Sequence, residues 1–255
     1  MNIFFAPNIS SKDFFTVLSE EESIHAIRVL RMKKGDVIQL VDGKGNFYTG
    51  EIIDAHPKKC AVTIKETKTN LLDNGKNIHL HIAIAPVKNI SRFEWFLEKV
   101  TEIGIDEITP LACCYSERTS VKIKRLNKIL ISAMKQTIKA YLPVLNEMQE
   151  FKTFIESSKK NSEQKFIAHL FPIGQETKSP LLNEVCNSGT DALIVIGPEG
   201  GFAEEEVLFA EKNGFSVVSL GTSRLRSETA GVVACTIVNM NNNKKYYTFV
   251  DNKIF

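Results

Sequence analysis

The 255 residues carry 32 Lys and Arg against 30 Asp and Glu, a formal net charge of +2, with 43% hydrophobic and 24% charged residues. That is ordinary for a soluble globular chain, long enough for one large or two modest domains of roughly 100 to 200 residues each. No apolar run approaches the roughly 18 to 20 residues of a membrane span, and five cysteines without C-x-x-C spacing argue against a disulfide framework or a zinc knuckle. Met1 to Phe5 lacks the positive region and small-residue cleavage site of a signal peptide, so a cytoplasmic protein is expected. His79 and His81 would share a strand face, but no carboxylate or cysteine stands with them at ligand spacing, and no metal is expected.

The first seventy or so residues read as a small β-rich unit. Ser19 with Glu22 fits a capping box for a helix over Glu20 to Arg31, which Lys33-Lys34-Gly35-Asp36 then breaks. Strand-like runs follow at Val37 to Val41, Phe47 to Ile53 and Cys60 to Lys65, separated by Asp42-Gly43-Lys44-Gly45 and Asp54-Ala55-His56-Pro57, both turn chemistry. The pattern predicts a meander curled into a small barrel. Arg28, Arg31, Lys33 and Lys34 form a compact basic cluster on it, suited to phosphate contact or simply to solvation. Thr67 to Asn77 is polar and reads as a linker.

A second domain opens with a strand over Ile78 to Ala85. Ser91 and Glu94 read as a second capping box, and Phe93, Phe96, Leu97 and Val100 follow at helical spacing until Gly104, with Trp95 off that stripe. Ile105 to Leu111 gives the next strand, so a right-handed βαβ unit is expected. Arg118 to Lys139 then holds seven basic residues and no acidic one. On a helix of about 100° per residue, Lys124, Lys128, Lys135 and Lys139 fall on one face, opposite Leu126, Ile129, Leu130, Ala133 and Met134. One face packs, and the other is a positive ridge that favours nucleic acid over a merely solvated surface. Pro143 is read as the end of this helix. Phe166 to Phe171 is a further strand.

Ala192 to Ile196 is a short, continuous apolar run, the signature of a strand buried on both faces of a parallel sheet. Ala203 to Lys212 supplies the return helix, with Glu204, Glu205 and Glu206 in its first turn and Gly214 closing it. Gly197 to Gly201 is therefore a strand-to-helix turn, in which Gly197, Gly200 and Gly201 are free to take positive φ. The layout repeats: a strand over Phe215 to Leu220, a loop from Gly221, and a helix from about Glu228 to Met240 that Ser227 can cap. Two such loops at adjacent strand ends would form a crevice of the kind in which α/β sheets bind ligands. Neither a dinucleotide fingerprint nor a P-loop is present.

IGPEGGF at Ile196 to Phe202, followed by LG at Leu220, LR at Leu225 and ETA at Glu228, closely resembles the SPOUT methyltransferases. Within them it resembles the small-subunit ribosomal RNA uridine methyltransferase family, which modifies the imide nitrogen of one uridine in 16S RNA. The similarity spans nearly the whole chain, and HAIRVLRMKKGD at His25 to Asp36 matches that family's amino-terminal signature. The resemblance implies an α/β fold, a SPOUT-type parallel sheet with a carboxy-terminal trefoil knot over 77–245, preceded by a PUA-like RNA-binding β-barrel over 1–70. It implies S-adenosyl-L-methionine bound by Leu170, Gly197, Pro198, Glu199, Gly200, Gly201, Leu220, Gly221, Leu225, Arg226, Thr229 and Ala230. Arg226 is the expected donor to the uridine anion, and Glu228 either orients it or acts as base. The acidic first turn, Glu199 with Glu204 to Glu206, suits a sulfonium cation better than a phosphate. RNA contact is expected from Arg28, Arg31, Lys33, Lys34, Lys124, Lys128, Lys135 and Lys139. The implied partners are 16S RNA or the small subunit and a second copy of the chain, with no membrane and no metal. The competing readings are a SPOUT enzyme acting on transfer RNA or another ribosomal site, and a non-catalytic RNA-binding protein that keeps the fold. Departures from the family pattern fall at Gln136-Thr137-Ile138-Lys139, Ala203 and Thr222-Ser223.

Overall fold

The protein is represented by a computed structural model that describes residues 3–10, 12–69, 78–158, 164–170 and 179–243. The chain divides into two compact units, Met1–Gly75 with Leu130–Leu142 and Lys76–Ile129 with Pro143–Phe255.

In the first unit, β1 (Ile3–Phe5), β2 (Phe15–Val17), β3 (Val37–Val41), β4 (Asn46–Asp54) and β5 (Ala61–Thr69) form one sheet in the order β1-β3-β4-β5-β2. Phe4, Ile38, Leu40, Tyr48, Ile52 and Val62 alternate inward along these strands and are almost fully buried. The three long strands lie where the alternation puts them. The three-residue β1 and β2 are too short to give a periodic signal. The β3–β4 turn is built on the buried Asp42 carboxylate, which accepts from the backbone N–H of Lys44 at 2.7 Å and from Asn46 Nδ2 at 2.6 Å.

Ser19 caps α1 (Glu20–Ile24) by accepting from Glu22 N–H, but the helix is shorter than the expected Glu20–Arg31. After Ile24 the chain takes one π-helical turn, His25–Val29, and Arg31 adopts a positive φ of 56°. Glu22 does not complete a reciprocal box, because its carboxylate is taken by Lys135 Nζ at 2.6 Å. Lys135 lies in the segment 130–142, which packs with this unit: Met134 and Ala140 are buried with Ile3 and Val41, and Gly45 N–H donates to Ala140 O.

In the second unit the chain runs β6 (Leu80–Ile84), α2 (Ile90–Ile103), β7 (Glu107–Ala112) and α3 (Ile123–Gln136), whose last residues belong to the first unit. It continues through β8 (Val144–Leu145), β9 (Gln149–Glu150), α4 (Phe151–Ser157), β10 (Gln164–Ala168) and α5 (Leu182–Val185). It closes with β11 (Ala192–Ile196), α6 (Glu204–Lys212), β12 (Ser216–Val218) and α7 (Ser227–Asn243). The strands pair in parallel in the order β12-β10-β11-β6-β7-β8. All five residues of β6 and of β11 are buried, as a strand flanked on both edges and covered on both faces requires.

Three local expectations are corrected. Asn89, not Ser91, caps α2 by accepting from Ser91 N–H, and Glu94 instead binds Arg125 at 2.6 Å. Helix α3 stops at Gln136 rather than at Pro143, because Ile138 turns to φ 55°. The polar linker begins later than expected, since Thr67 to Thr69 still belong to β5; the rest of it, 70–77, lies outside the described residues, as does Phe171 of the predicted strand.

Candidate active site

Strand β10 lies between β11 and β12, so the segments leaving the carboxyl ends of β11 and β12 rise on either side of it. Five-residue β11 runs straight into Gly197 to Phe202. Of its glycines only Gly201 has positive φ, 79°, which corrects the expectation for Gly197 and Gly200. Those two positions need glycine for space. A Cβ at Gly197 would meet the Phe202 ring at 3.1 Å, and one at Gly200 would meet Tyr115 Cβ at 3.1 Å. At Gly201 and Gly221, by contrast, a Cβ would have nothing within 4 Å, so the backbone there faces open space. Gly221 has φ 137°, which disfavours any side chain, and Ser219 Oγ donates to its carbonyl at 2.8 Å.

Around this opening Leu220, Leu225, Thr229 and Ala230 are half-buried, and Leu170, beyond β10, is exposed. Bare backbone with partly covered leucines is a surface that suits a flat, polar-edged ligand with apolar faces. Acidic residues contribute less here than the sequence suggests. Buried Glu206 is consumed by the scaffold, accepting from Cys114 N–H at 2.8 Å and Ala203 N–H at 2.9 Å. Glu199 accepts from Lys88 N–H at 2.9 Å, tying the turn to the loop after β6. Arg118 clamps that same loop by donating to Val87 O and Lys88 O.

Beside the crevice is a cleft of about 340 Å³ lined by Ser91, Arg92, Trp95, Arg226, Glu228 and Thr229. Arg226 is exposed on the loop before α7, while Glu228 in the first turn is only 5% exposed. The cation nearest Glu228 is Arg92, with Nε 3.9 Å from Oε1. The expected Arg226–Glu228 pairing is thus replaced by a pairing with α2. Sequence spacing does not mark Arg92 and Trp95 as site residues; the only signal is that Trp95 falls off the buried stripe of α2.

Arg28, Arg31, Lys33 and Lys34 are all exposed in the first unit, and Lys124 and Lys128 are exposed on α3 in the second. Lys135 and Lys139 fall in the 130–142 segment of the first unit, where Lys135 is held by Glu22. The predicted ridge is therefore divided between the units, and Lys135 is a packing residue.

A second cavity, about 250 Å³, opens at the amino ends of β6 and β7 and is lined by His79, His81, Glu107, Thr109 and Asn146 among others. A carboxylate does stand with the histidines, which corrects the expectation from sequence: Glu107 Oε2 is 3.4 Å from His79 Nε2. Register explains it, since Glu107 of β7 is the Cα partner of His81. Among the described residues no group of three or more His, Cys, Asp or Glu is arranged to hold a metal ion, and no helix is long and apolar enough to cross a membrane.

His81 is 6% exposed, and burial pushes its pKa down to about 4 against the opposing pull of Glu107. A lowered folded pKa means the unfolded chain binds the extra proton first, so stability is complete above pH ~6.5 and falls as the pH drops toward about 4. About 2 kcal/mol is expected to be lost between pH 7 and pH 5 from this residue. Denaturant melts at the two pH values measure it, and in His81→Gln that part of the loss is expected to vanish.

The family model for an RNA methyltransferase domain matches residues 74–239, and that for an RNA methyltransferase PUA domain matches residues 18–65. Ribosomal RNA small subunit methyltransferase E of Buchnera aphidicola is 31% identical over 87% of this chain and 86% of its own. A probable rRNA-methyltransferase from Porphyromonas gingivalis is 39% identical with a TM-score of 0.84, covering 95% of this chain and 98% of its own. Ribosomal RNA small subunit methyltransferase E from Neisseria gonorrhoeae, solved bound to S-adenosyl methionine, is 26% identical with a TM-score of 0.79 over 95% and 98%.

Proposed function

The chain belongs to the RNA methyltransferase family, and we propose that it uses S-adenosyl-L-methionine to methylate the imide nitrogen of a uridine in 16S ribosomal RNA. The observation that carries this reading is the pair of open glycine backbones, Gly201 and Gly221, set beside a cleft that holds Arg226 and Glu228. The cofactor would lie against Gly197 to Gly201, Leu220, Gly221, Leu225 to Ala230 and Leu170, and when bound it supplies an electrophilic methyl group. Backbone amides of the glycine turns suit the adenine edge, and Leu220 and Leu225 suit its faces.

The imide nitrogen becomes nucleophilic only when it loses its proton, and the resulting charge spreads to the two flanking carbonyl oxygens. Arg226, exposed at the mouth and permanently charged, is the donor to that anion. Glu228 lines the cleft as a buried carboxylate acceptor for the imide proton, with Arg92 Nε 3.9 Å away as its counter-charge. Titration of S-adenosylmethionine into the full-length protein by calorimetry tests the cofactor half of this reading; one site per chain supports it, and no binding contradicts it.

The PUA-like unit over 1–70 and the catalytic unit over 77–245 are the two domains of this reading, with 130–142 of the latter stretch lent to the first unit. The carboxy-terminal segment is taken to form a trefoil knot. In support, α7 starts beyond the edge strand β12 and yet packs on α2 and β6, three strands away. The chain acts as a cytoplasmic homodimer in this reading. Val232, Val233 and Ile237 of α7 are only partly covered within one subunit and Met240 is 65% exposed, which leaves that helix a face for a second copy.

RNA is held by Arg28, Arg31, Lys33 and Lys34, and by Lys124, Lys128 and Lys139. Lys135 leaves this set because reversing it would break its pair with Glu22. Lys124→Glu with Lys128→Glu is therefore the cleaner test. RNA affinity is expected to fall and the slope of log affinity against log salt to shrink by about two, one for each phosphate no longer neutralised. Cofactor affinity is expected to stay unchanged, and an equal loss of both would make α3 structural.

A further inference from the structure

Helix α2 contributes two side chains to the cleft that the reaction itself does not require. Trp95 is the only tryptophan of the chain and is 43% exposed, although its neighbours on the helix, Phe93, Phe96 and Leu97, are fully buried. Its ring lines the same 340 Å³ cleft as Arg226, Glu228 and Thr229. Turning the helix to bury this ring would draw Phe93, Phe96 and Leu97 out of the core, so the ring stands as an open apolar face in the cleft that a planar ligand can cover.

The polar groups of the cleft say which ligand. Uracil presents carbonyl, imide N–H and carbonyl along its pairing edge, an acceptor–donor–acceptor sequence. The cleft holds the complementary groups: the Glu228 carboxylate as acceptor, with the Arg92 guanidinium 3.9 Å away and the Arg226 guanidinium in the same cleft as donors. Cytosine, with an acceptor at the ring nitrogen and an amino donor beside it, would set lone pair against carboxylate. Single-stranded bases are commonly held in this way, by a stacking ring and hydrogen bonds to the pairing edge. The cleft volume falls within the roughly 300–1,000 Å³ of small-ligand pockets, so an unstacked nucleotide fits.

We infer that Trp95 is the stacking platform for the target uracil, holding its imide edge toward Glu228 and Arg226. The inference rests on the methyltransferase reading and adds the residue that selects and seats the base. Stacking on one aromatic ring is worth a factor of roughly ten to a hundred in binding. Trp95→Ala is thus expected to lower kcat/KM for RNA by about that factor, mainly through KM, while S-adenosylmethionine affinity, melting temperature and subunit number match wild type. Trp95→Phe is expected to recover most of the loss.

The substrate is small-subunit RNA from cells that lack this gene, assayed with the full-length enzyme. Because the RNA carries no tryptophan, quenching of Trp95 emission on adding it gives a second, reaction-independent readout, and quenching is expected. Wild-type kcat/KM in Trp95→Ala would overturn the inference, as would equal losses in Trp95→Ala and Trp95→Phe accompanied by lower stability or dissociation into single chains. A wild-type protein that binds cofactor and still leaves the RNA unmethylated would instead overturn the reading beneath it.

Discussion

Arg226→Ala is expected to slow methyl transfer by about a hundred- to a thousandfold while leaving the fold intact. Losing one well-placed donor to a developing anion typically costs about 2.7 to 4 kcal/mol of transition-state stabilisation. The side chain is exposed at the cleft mouth, so its removal opens no cavity. An ion pair with Glu228 would have made Arg226 a brace for the loop, but the ion pair that Glu228 makes is with Arg92. Melting temperature is therefore expected to stay near wild type, and saturating cofactor separates the loss of rate from any loss of cofactor contact at Arg226. Arg226→Lys keeps a charge without the planar fork and is expected to recover only part of the rate. Single-turnover methylation at saturating cofactor and RNA is the measurement, and a wild-type rate in Arg226→Ala would remove this residue from the chemistry.

Gly231→Val is expected to destabilise the protein by about 3 kcal/mol, the high end of what overpacking costs. Gly231 lies in the first turns of α7, where that helix crosses α2. A Cβ there would stand 2.5 Å from Phe96 Cε2 and 3.1 Å from Ile84 Cδ1. Both neighbours are fully buried. The gain from replacing a helical glycine, at most about 1 kcal/mol, does not offset that. Thermal unfolding is expected to shift down by roughly 6 to 12 °C. Activity is expected to fall with it, because the displaced α7 carries Glu228 and Thr229 away from Arg92 and Trp95. A melting temperature within about 2 °C of wild type would show that the α2–α7 crossing is looser than these distances imply.

The sheet of the second unit was legible where its strands carry unbroken apolar runs. Ala192 to Ile196 appears as β11 over the same residues, and its burial on both faces was implied by the lack of alternation. The helix after the first glycine loop was legible from its acidic first turn, and the one after the second from Ser227 standing at its start. Elements of two to four residues, such as β8, β9 and α5, carry no period to read. The larger misreadings came from tertiary partners. Glu22 has the spacing of half a capping box, yet Lys135, more than a hundred residues later, claims its carboxylate. Glu206 has the position of an acidic rim residue, although Cys114 and Ala203 use both of its oxygens. Local spacing reports what a side chain is able to do nearby, and long-range pairing decides what it does.

The candidate site divides in the same way. Its glycines, Arg226 and Glu228 sit in short motifs close together in sequence, and motif resemblance could point to them. Arg92 and Trp95 come from a helix some 130 residues earlier, and only the packing of α7 on α2 brings them into the cleft. Gly197 shows a subtler limit. Its need for glycine was legible, but the reason proved to be the Phe202 ring rather than a left-handed backbone.

The most direct test of the central claim is mass spectrometry of nucleosides and fragments from small-subunit RNA of cells with and without this gene. The account predicts that one uridine loses a methyl group from its imide nitrogen when the gene is absent, and regains it when the purified wild-type protein and S-adenosylmethionine are added to that RNA or subunit. An unchanged methylation pattern in small-subunit RNA, or a missing methyl group that maps to transfer RNA or to a base other than uridine, would contradict it.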